Sequence, residues 1–335
     1  MTSPRAVCVG EGLVVMVAEP GPLEDSDHFV RGAGGAEANV ARVLARLGVD
    51  TSWASRVGDD GFGRYLRSDL VEAGVDTSAV LVDPTRSTGL YVKERGAGTA
   101  HPYDLGPGES RMAYFRSGSA ASALCADDVD WIAGRLAPAD LVHVSGITLA
   151  LSDSARAAVA RIGILGTTVS FDLNHRPTLW TSGVEAARVL GEQVRRSDIV
   201  LMGADEAEVV FGTGDPAALR ALFPEPRRLV IKNDSAAVTA FDGEDAVVMP
   251  AVRVEVVEKI GAGDAFAGGY LAGVLHGVGT ATAVRWGHLC AAAALTAHGD
   301  GAAVPTVADL ATAADVTDDE WSRLAWVDVA GSVAS

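Results

Sequence analysis

Short, nearly continuous apolar runs recur along the chain at 6–9, 51–57, 141–144, 168–172, 199–202 and 229–231, with amphipathic stretches between them. A strand wet on one face alternates polar and apolar residues. Runs without that alternation read as strands covered on both faces, the pattern of a parallel sheet. Between the first two, 36–47 reads as a helix. Val40, Val43, Leu44 and Leu47 fall on one side, Arg42 and Arg46 on the other, and Gly48 follows as C-cap. Strand and helix alternating from end to end predict a three-layer α/β domain. Its ligand site should lie beyond the carboxyl ends of the strands.

Two stretches break the rhythm. Segments 12–30 and 87–116 are extended and carry turn residues such as Pro22, Gly96, Gly98 and Pro107. They read either as extra strands that project from the sheet and close over a site, or as long surface hairpins. The 315–335 tail is less regular, and Trp321 and Trp326 are expected to anchor it.

Composition removes several classes of function. The 335 residues are 48% apolar and 21% charged, ordinary for a globular protein, and no apolar run approaches a membrane span. Residues 1–5 lack the basic-then-apolar layout of a secretory signal, so a cytoplasmic location is expected. Cys8, Cys125 and Cys290 lie far apart without metal-ligand spacing and read as buried, reduced thiols. The seven histidines form no zinc motif. A formal charge of −17 argues against a nucleic-acid surface. It also means that an anionic ligand must be met by local donors: backbone amides, helix N-termini and a few arginines. Lys93, Lys232 and Lys259 are the only lysines and none follows a glycine, which excludes a Walker-type phosphate loop.

The sharpest motif is Gly261-Ala262-Gly263-Asp264-Ala265-Phe266, which opens an apolar helix. Glycines there bare the amides that, with the helix dipole, cradle negative charge. Asp264 would repel phosphate, unless its work is to take a proton from a nucleophile beside it. An ordinary N-terminal cap is the other reading. A second motif, Gly32-Ala33-Gly34-Gly35-Ala36-Glu37-Ala38-Asn39, opens the 36–47 helix and places Asn39, a donor and acceptor for sugar hydroxyls, one turn inside. Its plain alternative is a flexible helix start with a surface Asn39. Neither cluster, nor Gly10-Glu11-Gly12, completes a dinucleotide fingerprint.

Gly34-Gly35 with Asn39, the string Arg56-Val57-Gly58-Asp59-Asp60-Gly61-Phe62-Gly63 and the late Gly-Ala-Gly-Asp resemble, in order and spacing, the PfkB (ribokinase-like) carbohydrate kinases. The resemblance spans about 7–305. Within that family, four strings are similar to those of 2-keto-3-deoxygluconate kinases: Thr88-Gly89-Leu90-Tyr91, the run from Tyr114 through Arg116 to Ser122, the run from His143 to Ser152, and the run from Ser170 through Asn174 to Pro177.

The resemblance implies a ribokinase-like αβα sandwich in one domain over 1–335. A small β lid would come from about 12–32 and 87–118, and the chain would form a homo-oligomer through it. It implies ATP with magnesium, and allows a monovalent cation. The activity implied is phosphorylation of the terminal hydroxyl of a sugar acid, 2-keto-3-deoxygluconate.

Asp264 would be the base, and the amides of Gly261, Ala262 and Gly263 the anion hole. Gly34, Gly35, Asn39, Tyr91, Tyr114, Arg116 and Arg176 would meet the sugar. An arginine fork matches a carboxylate, which a neutral sugar lacks. Asn174, Lys232, Asp234, Ala237, Gly261 and Gly263 would meet ATP, and Glu206 would reach magnesium through water.

Three strings depart from the family's usual pattern: Gly203-Ala204-Asp205-Glu206 for Asn-x-x-Glu, Asn233-Asp234-Ser235-Ala236-Ala237 where paired glycines are common, and Glu258-Lys259-Ile260 for Asp-Thr-Thr. A kinase of a neutral or epimeric sugar is one alternative. A weakly active sugar- or nucleotide-binding regulator is the other.

Overall fold

The computed structural model describes residues 3–163, 165–233, 236–296, 304–327 and 329. Its thirteen strands, in chain order, are β1 (Arg5–Val9), β2 (Leu13–Pro20), β3 (Phe29–Gly34), β4 (Asp50–Gly58), β5 (Val80–Asp83), β6 (Leu90–Arg95), β7 (Ser110–Phe115), β8 (Leu141–Ser145), β9 (Thr168–Asp172), β10 (Ile199–Gly203), β11 (Arg228–Asn233), β12 (Ala237–Asp242) and β13 (Asp245–Pro250). Nine form the main sheet, in the order β13-β12-β11-β10-β9-β8-β1-β4-β5. From β5 to β11 all neighbours are parallel, and β12 and β13 add an antiparallel edge.

All six expected strands are present. The three that sequence reading missed in this sheet are β5, β12 and β13. They sit at its two ends, where exposure breaks the apolar runs.

The core explains those runs. Cys8, Leu201 and Val230 pack on one face with helices Ala36–Arg46, Ala262–Leu275 and Thr280–Leu295. Their neighbours Val7, Val9, Val200 and Ile231 pack on the other with helices Asp153–Ile162 and Gly183–Arg196. Period-two alternation thus feeds two apolar layers, each buried side chain contributing about 1.5–3 kcal/mol. Trp321 and Trp326 are buried in the first layer, and the Trp321 indole donates to the Pro250 carbonyl at 2.9 Å. Cys8 and Cys290 are buried, but Cys125 is only half-buried, because it caps the short helix Ala126–Ala133 rather than lining a layer.

The winding fixes where ligands can go. From β1 the chain steps to β4 and β5 on one side, then crosses to β8 and continues through β9, β10 and β11 on the other. The order reverses at β1, which opens a crevice at the carboxyl ends of the strands.

The two irregular segments are strands. They pair as β3-β2-β6-β7, a four-stranded sheet separate from the first. Val14 and Ala33 seat this lid on Leu66 of helix Gly61–Glu72, and the Arg31 guanidinium lies 3.7 Å from the Tyr65 ring centre. Asp60 caps that helix through the Gly63 amide and also accepts from the Thr88 amide and hydroxyl at 2.8 and 2.9 Å. The Asp59-Asp60-Gly61 and Thr88-Gly89 strings therefore meet at the start of that helix.

Candidate active site

Helix Ala262–Leu275 starts from Gly261, whose φ of 78° is left-handed, a conformation glycine adopts without penalty. That turn brings Asp264 into the first turn of the helix. Gly268 lets the helix press against Val43 of helix Ala36–Arg46, since a side chain there would meet Val43. Close packing fixes Asp264 relative to Asn39 on the neighbouring helix. The Asn39 amide donates to Asp264 Oδ2 at 2.9 Å. On the other side, the Asn174 amide approaches Oδ1 at 3.5 Å. Asn174 is a non-glycine residue with positive φ, 38°, a strained geometry concentrated at functional sites. Both oxygens of this half-buried carboxyl group thus face a side-chain amide.

A charge cluster, where the nucleotide is expected, stands at the ends of β9, β10 and β11. Lys232 Nζ bonds Asp172 Oδ2 at 2.9 Å. A methyl group built on Gly263 would lie 3.8 Å from the same Nζ, so the ammonium stands beside the expected anion hole. Burial alone would depress Lys232, but Asp172, Glu206 and Asp264 outweigh it and hold the ammonium above its ordinary value. Burial, reinforced by the Asp172 charge, pushes the Glu206 carboxyl up, while Lys232 opposes the shift. Arg176, half exposed, contacts Glu206 at 3.4 Å and the His175 carbonyl at 3.0 Å. It therefore stands beside Glu206, away from the lid tyrosines and Arg116 with which it was grouped.

Ala237 opens β12 opposite Asn233. Asp234 lies outside the described residues. The Ala262 amide reaches back to the Lys259 carbonyl at 3.4 Å.

The residues expected to meet the sugar lie on the lid and just after β1. Gly34 ends β3, and Gly35 follows with φ 127°; a Cβ there would drive into the Glu11 carbonyl oxygen. Tyr91 and Tyr114 sit opposite each other on β6 and β7 with ring centres 5.3 Å apart. Arg116 follows β7, its guanidinium 5.6 Å from the Tyr114 ring centre. It forms an ion pair with Glu11, whose Oε1 also accepts from Ser119 Oγ at 3.0 Å. Beneath them Glu37 is fully buried. Its Oε1 accepts from the Ser145 amide and hydroxyl and the Thr148 hydroxyl at 2.7–2.9 Å. Two apart from Tyr91 on β6, Lys93 pairs with Glu258, three residues before Gly261. The lid and the segment leading into Gly261 are tied there.

Sequence reading missed Asp172, Glu11, Glu37, Ser119 and the Lys93–Glu258 pair. The signal for Glu11 was present: a carboxylate between Gly10 and Gly12, directly after a buried strand. Pairings between residues far apart in the chain leave no such local signal.

The residues at hand fit a magnesium–ATP complex. Asp172 Oδ1 is buried without a hydrogen-bond partner, and Glu206 stands beside it. Among the described residues no group of three or more His, Cys, Asp or Glu could hold a metal ion. Among the same residues no helix is long and apolar enough to cross a membrane.

The chain is similar to known proteins over most of its length. The 2-dehydro-3-deoxygluconokinase of Thermoproteus tenax is 35% identical over 304 residues, 90% of this chain and 91% of that one. The 5-dehydro-2-deoxygluconokinase of Shouchella clausii (strain KSM-K16) is 29% identical over 297 residues, 86% and 88% of the two chains. The crystal structure of a PfkB protein from Polaromonas sp. JS666 superposes with a TM-score of 0.80 at 31% identity, covering 92% of this chain and 99% of that one. The model of the pfkB family carbohydrate kinases matches residues 4–307. This chain belongs to the pfkB family of carbohydrate kinases, enzymes that use ATP, and has their ribokinase-like fold.

Proposed function

We propose that the chain transfers the γ-phosphoryl group of ATP to the terminal hydroxyl of a keto-deoxy sugar acid, converting 2-keto-3-deoxygluconate to its 6-phosphate. Arg116 carries this reading. Its side chain is only 10% exposed, it stands at the root of the lid beside Tyr91 and Tyr114, and its Nε is buried without a hydrogen-bond partner. A guanidinium so placed matches a carboxylate, which fructose and ribose lack. The names of the similar kinases, both acting on keto-deoxy sugar acids, point the same way.

Asp264 orients the hydroxyl and accepts its proton as the bond to phosphorus forms. Asn39 and Asn174 hold the carboxylate for that task. The Gly261–Gly263 amides and Lys232 face the charge that builds on the transferred group. Magnesium, when bound, neutralises phosphate charge; Asp172 and, through water, Glu206 would hold it. Gly34, Gly35 and Asn39 meet the sugar hydroxyls, and Ala237 lines the adenosine side. The lid, pinned at Asp60–Thr88, closes over the sugar and excludes water. The reaction places the chain in the cytoplasm, with its ATP.

An ADP-release assay on 2-keto-3-deoxygluconate, 5-keto-2-deoxygluconate, fructose and ribose tests the reading. The first should be preferred, and Arg116→Ala should raise KM for the sugar acids while leaving any fructose activity unchanged. Equal loss on both, or a preference for fructose, overturns it.

A further inference from the structure

We propose that Glu11 is a positioning residue of the sugar-acid site, one that holds the Arg116 fork and takes up a proton when a substrate carboxylate binds the same guanidinium. The inference rests on the reading of Arg116 above.

Its basis is geometric. Glu11 sits at the end of β1, 2% exposed, and Arg116 comes from the chain just after β7, so the pair spans body and lid. Ser119 Oγ donates to one Glu11 oxygen, and the other meets the guanidinium. Gly89 leaves room for both: a Cβ there would lie 3.2 Å from Glu11 Oε1 and 3.5 Å from Arg116 Cβ. One edge of the fork is thus spoken for, and Nε remains without a partner.

A substrate carboxylate on that fork makes two anions share one cation away from water. Like charges so placed do not both stay ionised without cost, and the group nearer neutrality gains the proton. Three groups set the balance for Glu11. Arg116 and Ser119, both after β7, favour its charged form, whereas Glu37 on helix Ala36–Arg46 repels it. Burial is the largest influence and carries the carboxyl up to about 7. The substrate carboxyl, with an ordinary value of about 3.5, is ionised throughout the neutral range. Glu11 therefore takes the proton, from solvent, and no bond to carbon or phosphorus changes.

The sign follows. Below about pH 7 Glu11 is already protonated and KM for the sugar acid is flat. Above it, binding must draw a proton and KM climbs, with a limiting slope of about tenfold per pH unit.

The test is KM for 2-keto-3-deoxygluconate from pH 6 to pH 9, in wild type and Glu11→Gln. It is paired with titration calorimetry in two buffers of different ionisation enthalpy, which counts protons taken up. Wild type should show the slope and take up close to one proton at the alkaline end. Glu11→Gln keeps shape and hydrogen bonding but cannot titrate, so it should show neither, while KM for ATP is unchanged. Should the Gln variant fail to fold, Ser119→Ala removes a donor to the charged form and should move the break to higher pH. A merely structural Glu11 would alter melting but leave the slope intact.

A Gln variant with the wild-type slope, or wild-type binding without proton uptake, overturns the proposal. Wild type active on the sugar acid with a flat profile overturns it alone. Wild type inactive on every keto-deoxy sugar acid overturns the functional reading, and this inference with it.

Discussion

Replacing Asp264 by Asn tests the catalytic geometry most directly, because the structure states what the change does to its surroundings. Both Asp264 oxygens face amide donors, Asn39 at 2.9 Å and Asn174 at 3.5 Å. An Asn side chain has one oxygen and one NH2, so one of those donors loses its acceptor. The oxygen will keep the shorter Asn39 bond, and the NH2 will turn to Asn174, where the longer spacing leaves room to rotate. Stability should therefore change by only about 1 kcal/mol, a single exchanged hydrogen bond. The chemistry should change far more. Loss of a positioned base costs about a hundred- to ten-thousand-fold in kcat, or about 2.7–5.4 kcal/mol of barrier. Asn39→Ala is the control, since it keeps the base and removes one charge-assisted hydrogen bond worth about 1.5–3 kcal/mol. The assay is ADP release at saturating sugar acid and ATP, with circular dichroism to confirm folding. Asp264→Asn should fall well below Asn39→Ala in kcat, with KM for ATP near wild type in both. A folded Asp264→Asn variant that keeps a tenth of wild-type kcat, or one no slower than Asn39→Ala, refutes the base assignment.

Gly35→Ala places a side chain at φ 127° and drives its Cβ into the Glu11 carbonyl oxygen. The melting temperature should drop by an amount matching at least about 1–3 kcal/mol, and KM for the sugar should rise; an unchanged melt refutes the strain. Lys93→Met removes the ammonium paired with Glu258, whose side chain is 10% exposed. It should cost about 3–5 kcal/mol, read by urea unfolding, much of it recovered in the Lys93→Met/Glu258→Gln double variant; additive effects would show that the pair is not coupled. We also propose that the lid joins two copies of the chain, because its edge strands β3 and β7 expose Phe29, Val30 and Phe115. Val30→Lys should turn a sedimenting dimer into a monomer, and a wild type that already sediments as a monomer refutes the lid interface.

The parts of the fold that could be read from the chain were those with local causes. β1, β8, β9, β10 and β11 are covered on both faces, so their apolar runs are unbroken and visible. β5 is only four residues long, and β13 alternates around exposed Val248, so neither gives a run. At the site, Asp264 and Gly261 could be found because a helix start has a short signature. That Gly34, Asn39, Tyr91, Tyr114 and Arg116 belong together came from resemblance, since 77 positions separate Asn39 from Arg116 and no periodicity links them. The counter-ions were the hardest to foresee. A charged residue alone does not disclose its partner, and Glu11 and Asp172 acquire meaning only when the winding brings β1 to the lid and β9 to β11.

Those counter-ions resolve the difficulty raised by a charge of −17. Each cation expected to face a substrate anion is paired with a carboxylate: Arg116 with Glu11, Lys232 with Asp172, Arg176 with Glu206. On the proposed reading, anionic ligands meet donors that are already partly neutralised, and exchange one ion pair for another instead of filling a bare positive well. Such exchange gives little gain in raw attraction, since desolvation offsets most of it inside a protein. What it provides is selection by shape. A carboxylate or phosphate must reach a fork or an ammonium at the angle its neighbours leave open. Magnitudes decide the same point at long range. Beyond about 8–10 Å at physiological salt the surrounding acids are screened, so the field of the whole molecule has little hold on the crevice. On the proposed reading, binding is governed there by a handful of oriented N–H groups: those of Gly261 and Gly263, Asn39, Asn174 and the three paired cations.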